Sequence, residues 1–107
     1  MSTSHVVPRV VPATRRKDPD DVLDYVWTWT AFLNGDTIAD HQVLIDDTSD
    51  TPLQVDADAG GSEHDDDTVT VWLSSGTTGT LVPVTVRITT AAGRVADGTV
   101  TFHITRL

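Results

Sequence analysis

The chain has 107 residues, a formal net charge of −9 and no cysteine. This length suits one small domain, and the lack of cysteine excludes disulfides and thiolate metal sites. No apolar run approaches the roughly twenty residues of a membrane span, and the acidic balance opposes binding to phosphate. We therefore expect no membrane and no nucleic-acid partner.

The N-terminal residues form a basic arm. Residues 1–17 carry four cations and no acid, whereas residues 18–107 carry sixteen acids and three cations. Two Val-Val-Pro triplets favour an extended chain that does not fold alone. We divide the chain into an extended arm, 1–17, and a domain, 18–107, and expect the arm to bind a partner. The candidate partner-binding residues are Val6, Val7, Pro8, Arg9, Val10, Val11, Pro12, Arg15, Arg16 and Lys17.

The first part of the domain alternates apolar and polar residues with the period of a strand. Residues 22–33 are the clearest case, and Trp27 or Trp29 is expected to fill the core. Residues 37–45 alternate less cleanly, and residues 52–55 suit only a short or edge strand because they begin with proline. These segments predict one strong and two weaker strands.

Three strong strand signals follow, at Thr68–Ser74, Leu81–Thr90 and residues 95–106, with glycine-containing turns between them. No segment shows sustained helical periodicity. This pattern of six or seven short strands predicts an all-β protein, an immunoglobulin-like antiparallel β-sandwich. Without the usual inter-sheet disulfide, the tryptophans must supply core area, about 200 Å² for each buried ring.

An acidic segment at residues 56–67 separates the weak strands from the strong ones, and we predict that it is a loop. Compared with a twelve-residue calcium loop, it offers Asp56, Asp58 and Asp67 as candidate ligands and Gly61 at the turn. It lacks a side-chain oxygen at the fifth position and ends on Asp instead of Glu. A solvated acidic loop is the main expectation, and weak calcium binding is the alternative.

Residue patterns typical of catalysis are missing from the sequence. There is no Gly-x-Ser-x-Gly elbow, no cysteine nucleophile and no glycine-rich phosphate loop. We therefore expect neither enzymatic activity nor a cofactor. The histidines have no metal-like spacing and are interpreted as surface residues; they are His5, His41, His64 and His103.

Trp72 is predicted to point outward from its strand, between Thr70 and Ser74. Because tryptophan is enriched at interface hot spots, Trp72 is a candidate surface anchor for a partner. The alternative is that the protein's own arm covers it.

Several motifs resemble those of a known family. They are KDPDDVLDY at 17–25, LNGDTI at 33–38, VTVWLSSGTTGT at 69–80 and VTVRITTAAGR at 84–94. Together they are similar to small virion proteins of tailed bacteriophages, whose members include fibre–tail adaptors and minor structural proteins. The resemblance implies a virion component with an immunoglobulin-like sandwich and no particular chemistry. The arm and the acidic segment depart from the family pattern.

Three functions agree with these observations. Our main expectation is a non-enzymatic head decoration or minor capsid subunit of a phage virion. Its arm would bind the major capsid protein or neighbouring copies of the same chain. The alternative is a neck or tail protein that joins fibres to the tail, and copy number per particle would distinguish the two. A second alternative, a carbohydrate- or cell-surface-binding module, predicts an exposed aromatic platform that includes Trp72.

Overall fold

Residues 14–107 are described by a computed structural model. The elements in chain order are β1 (Thr14–Lys17), β2 (Leu23–Thr28), α1 (Thr30–Leu33), β3 (Ile38–Ile45), β4 (Gln54–Val55), β5 (Ser62–His64), β6 (Thr68–Ser74), β7 (Leu81–Thr90) and β8 (Val95–Ile104). Sheet A has the strand order β1-β8-β7-β3; in sheet B, β6 pairs with β2 on one side and with β4 and β5 on the other. The predicted all-β sandwich is confirmed, whereas its immunoglobulin-like character stays a prediction.

Every strand pair is antiparallel in the described part of the chain except β1 with β8, which is parallel. The bounds predicted for β6 and β7 agree with the structure, and β8 ends two residues before the predicted end. The strongest alternating segments of the sequence therefore supply the central strands of both sheets.

No helix in residues 14–107 is long and apolar enough to cross a membrane.

Weaker segments differ from the sequence prediction. Residues 22–33 are not one strand, because β2 ends at Thr28 and a single helical turn, α1, follows. Asn34 ends this turn in the left-handed conformation, with φ of 48°, and Gly35 continues it at φ of 94°. A turn that needs two successive positive φ values favours Asn-Gly. The chain therefore leaves sheet B here and crosses to β3 of sheet A.

The core lies between the two sheets and contains both candidate tryptophans. Trp27 and Trp29 are buried, and the indole N–H of Trp27 donates to the carbonyl of Gly98 at 3.1 Å. Phe102 packs edge-on against Tyr25, with ring centroids 4.9 Å apart. Burial of each large apolar side chain stabilises the fold by about 1.5–3 kcal/mol. These four aromatic side chains therefore contribute much of the energy that holds the two sheets together.

Candidate functional site

The end of the predicted arm belongs to the sandwich. Val6, Val7, Pro8, Arg9, Val10, Val11 and Pro12 lie outside the described residues. Thr14–Lys17, which we had assigned to the arm, forms strand β1 and pairs with β8. Hydropathy could not reveal this strand, because three of its four residues are cationic.

Lys17 is fully buried, although we had named it as a partner-binding residue. Its ammonium donates to the carbonyls of Asp18 at 2.9 Å and Ser75 at 2.8 Å. Burial lowers the pKa of Lys17, and the nearby carboxylates, Asp21 foremost, act in the opposite direction. Lys17 thus attaches β1 to the sandwich and is not available to a partner.

Arg15 and Arg16 are exposed and remain candidate contacts. The guanidinium of Arg15 lies 5.3 Å from the ring centroid of Tyr25, within the range of a cation–π interaction. This contact joins β1 of sheet A to β2 of sheet B. We call the side of the sandwich formed by β1 and β2 the open side.

The open side carries an exposed apolar cluster. Val22, Leu23 and Val26 are 45%, 47% and 49% exposed, and they lie within five consecutive residues at the edge of sheet B. Asp24, between them, is also exposed. A six-residue edge strand with exposed apolar side chains is a ready template for another strand. The alternating pattern predicts this strand but not its position at the edge of the sheet.

The opposite side of the sandwich is formed by β3, β4 and β5, and we call it the closed side. Here the Nδ1 atoms of His41 and His64 lie 2.6 Å apart, and Nε2 of His41 lies 2.9 Å from the Ser62 hydroxyl. One imidazole must donate to the other, because two lone pairs or two N–H groups would repel. Desolvation lowers the pKa of His41, and the charge of His64 adds to this effect. The side chains of β3 and β5 therefore connect the two sheets.

The His41–His64 contact was missed by the sequence analysis, which placed both residues on the surface. A signal was present, since His41 has the same strand parity as Val43 and Ile45, two apolar residues that pack against the core. No such sequence signal exists for His64, because its strand β5 lies inside the acidic segment that we predicted to be a loop. That prediction was wrong for Ser62–His64, which pair with β6.

The candidate calcium ligands are not brought together. The N–H of Asp56 donates to the carbonyl of Trp72 near the end of β6, whereas Asp67 immediately precedes the start of β6 and binds the Thr30 hydroxyl. Trp72 and Asp67 are five residues apart in sequence, so at about 3.3 Å per residue the two aspartates are separated by roughly 16 Å along the direction of β6. Within residues 14–107, no group of three or more His, Asp or Glu side chains could hold a metal.

Trp72 is half-buried, so the exposure expected of a surface anchor is not found. Gly60, from the acidic segment, lies against its indole, and a Cβ on Gly60 would be 2.6 Å from Nε1. The main-chain N–H of Trp72 donates to the main-chain carbonyl of Gly61 at 2.8 Å. Gly60 of the acidic segment therefore covers part of Trp72, and the alternative cover, the arm before Thr14, lies outside the described residues.

A second polar cluster stabilises one end of the sandwich. Asp36 accepts hydrogen bonds from the N–H groups of Thr37 and Ala92 and pairs with Arg94 at 3.1 Å. Its pKa is lowered to about 2, first by the Thr90 hydroxyl and then by these donors. Arg94 also stacks on Phe32, 4.6 Å from the ring centroid. These contacts join the α1–β3 connection to the β7–β8 turn, which is a structural role.

The comparison with known families agrees with the resemblance seen in the sequence. Residues 17–103 match the family described as "Podophage GP4 fiber-tail adaptor protein gp77". No curated protein matches the chain. The matched residues run from the end of β1 almost to the end of β8, so they include nearly the whole sandwich. The chain belongs to this family of phage fibre–tail adaptors and is a virion structural protein that binds other virion proteins.

Proposed function

We propose that this protein joins tail fibres to the tail of a podophage particle. The family match over residues 17–103 carries the proposal. It favours the alternative of the sequence analysis over the head decoration that we had expected first, because the family is named for an adaptor at the tail.

The described surfaces agree with a connecting role. An adaptor must bind two neighbours at once, so it needs two separate surfaces on a rigid body. The open side offers Leu23 and Val26 at the edge of sheet B, and the outer face of sheet A offers Leu81, which is also exposed. The packed core between the sheets fixes the geometry of one surface relative to the other.

The arm is a further candidate contact. Residues 6–12, together with Arg15 and Arg16, carry apolar side chains and positive charge, and we propose that they contact a neighbouring virion protein. Lys17 is left out of this contact because it is buried. The attraction between a basic arm and an acidic surface weakens at high salt, whereas valine contacts persist.

Removal of the gene from the phage tests the adaptor function. We expect particles with filled heads and tails but without fibres in electron micrographs, and expression of the wild-type gene in trans should restore the fibres. Quantitative mass spectrometry of wild-type particles should find about a dozen copies or fewer, as the symmetry of a tail requires. Hundreds of copies, with fibres retained in the deletion, would instead indicate head decoration.

The carbohydrate-binding alternative has less support than before. It depends on an aromatic platform around Trp72, and Gly60 covers part of that indole. The remaining aromatic side chains of the described residues are largely in the core or next to it.

A further inference from the structure

The main-chain groups of β2 alternate between its partner strand and the free edge. The Trp29 N–H donates to the Asp67 carbonyl at 2.8 Å, and this pair continues the β2–β6 register. In an antiparallel ladder every second residue is bonded to the same neighbour. The residues of β2 that bond to β6 are therefore Leu23, Tyr25 and Trp27. Asp24, Val26 and Thr28 direct their N–H and C=O groups away from β6.

The hydrogen bonds that β6 makes on its other side confirm this alternation. Trp72 lies opposite Asp24, yet its N–H donates to Gly61 and its carbonyl accepts from Asp56, both on the far side of β6. The main-chain groups of Trp72 are thus not used toward β2. Among the described residues, β6 is the only strand that pairs with β2, so no other described strand uses the main-chain donors and acceptors of Asp24, Val26 and Thr28.

The edge of β2 lacks the devices that usually block strand addition, which are lysine, proline and bulges. β2 contains no lysine or proline, and its register is unbroken over six residues. By contrast, β1 is four residues long and cationic, and β3 has an irregular register between Ile38 and Asp40. The one charge on the β2 edge is Asp24, which selects a positive partner.

We propose that the β2 edge receives residues 6–11 of a second copy of this chain as an added strand. Pro8 and Pro12 lack an N–H, but they are four residues apart and so point in the same direction along a strand. Val7, Arg9 and Val11 can then bond to β2 while both prolines face away from it. Arg9 supplies the positive charge opposite Asp24. This proposal does not depend on the adaptor function.

The direction of β1 indicates that the strand added to β2 comes from a second copy and not from the same chain. Arg15 is paired with Phe102, which also packs against Tyr25, so Arg15 and Tyr25 are level with each other. β1 is parallel to β8, while Trp27 reaches back to Gly98, so β1 and β2 run in opposite directions. An extended chain before β1 would pass the Thr28 end of β2 near residue 12. Residues 6–11 of the same copy would then lie beyond β2.

Hydrogen exchange of the full-length protein, measured by NMR, tests the proposal at the atoms concerned. We expect the amides of Asp24, Val26 and Thr28 to become protected as protein concentration rises. The double variant Val7→Asp/Val10→Asp should lose this protection, and the charge-matched control Ser2→Asp/Ser4→Asp should keep it. Protection that is independent of concentration would show that the chain covers its own edge, and absence of protection would show that nothing does; either result overturns the proposal.

A matched pair on the surface of the sandwich tests the receiving edge. Val26→Lys places a lysine on the β2 edge, whereas Val95→Lys makes the same change at an exposed valine of sheet A. In sedimentation experiments, Val26→Lys should weaken self-association at least about tenfold, and Val95→Lys should associate like wild type. Thermal unfolding of both variants checks that the fold is intact. Equal association of the two variants would place the contact elsewhere and overturn the proposal.

Discussion

The open and closed sides of the sandwich are held together in different ways. On the closed side, His41 and His64 join the sheets through side chains that are only partly buried. On the open side, Arg15 contacts Tyr25 at the surface, and two further connections are internal: Trp27 reaches Gly98, and the buried ammonium of Lys17 reaches Ser75. The rim of β2 is therefore not needed to hold the open side together, which leaves it for a partner. Substitutions at the internal contacts should accordingly cost more stability than those on the closed side.

The largest effect is expected for Trp27→Ala. This change removes a fully buried indole and its hydrogen bond to Gly98, and such truncations cost about 3–5 kcal/mol. Trp72→Ala, on the half-buried tryptophan of sheet B, is the matched control and should cost clearly less. Urea unfolding followed by circular dichroism measures both. Equal losses would contradict the view that the open side is held by its buried groups.

Lys17→Ala should have the next largest effect, at about 2 kcal/mol, because it removes a buried side chain and leaves two carbonyls without their donor. Arg16→Ala, on the exposed neighbouring residue, should stay within about 0.5 kcal/mol of wild type. Thermal unfolding measures the difference. If both variants unfold like wild type, β1 does not belong to the cooperative unit and the arm extends through Lys17, as the sequence predicted.

On the closed side, Gly60→Ala should cost about 1–3 kcal/mol, because the new methyl group would overlap the Trp72 indole. Gly61→Ala is a matched control: this glycine also has positive φ but has no atom within 4 Å of an added Cβ. The difference between the two variants measures the contact with Trp72. Tryptophan fluorescence should shift to longer wavelength in Gly60→Ala alone, and the same shift in both would contradict the contact.

Most of the fold could be predicted because its main strands alternate cleanly. In β6, β7 and β8, the residues at every second position are buried as expected, including Val69, Val84 and Phe102. One face of each strand packs in the core and the other meets water, and this difference is what an alternating pattern records. The same logic placed Trp27 and Trp29 in the core.

The surfaces that matter for function were harder to predict because they depend on contacts distant in sequence. Lys17 is buried through a carbonyl at Ser75, fifty-eight residues away, and no local pattern predicts a buried lysine. β5 is three residues long and lies within an acidic segment, so its pairing depends on β6 and not on its own composition. The position of β2 at the edge of the described sheet is a property of strand order, which alternation does not encode.

The smallest expected effect is a pH dependence of the closed side. The pKa of His41 in the folded protein is lowered from 6.5 by desolvation and by His64. A lowered pKa means that the unfolded chain binds the proton more tightly, so the stabilising contribution is complete above pH 6.5 and decreases as the pH falls through the folded-state pKa. Asp40, next to His41, acts against this loss because its negative charge raises the pKa of His41.

His41→Gln should therefore flatten the decrease in unfolding free energy between pH 7 and pH 5. His103→Gln, on β8 of sheet A and away from this pair, should retain the wild-type decrease. Urea unfolding at each pH provides the measurement. Parallel curves for wild type and His41→Gln would mean that the imidazoles do not join the sheets. The closed side would then depend on main-chain contacts, such as the hydrogen bond from Ile38 to Asp66, and both sides of the sandwich would be held by groups that do not titrate near neutral pH.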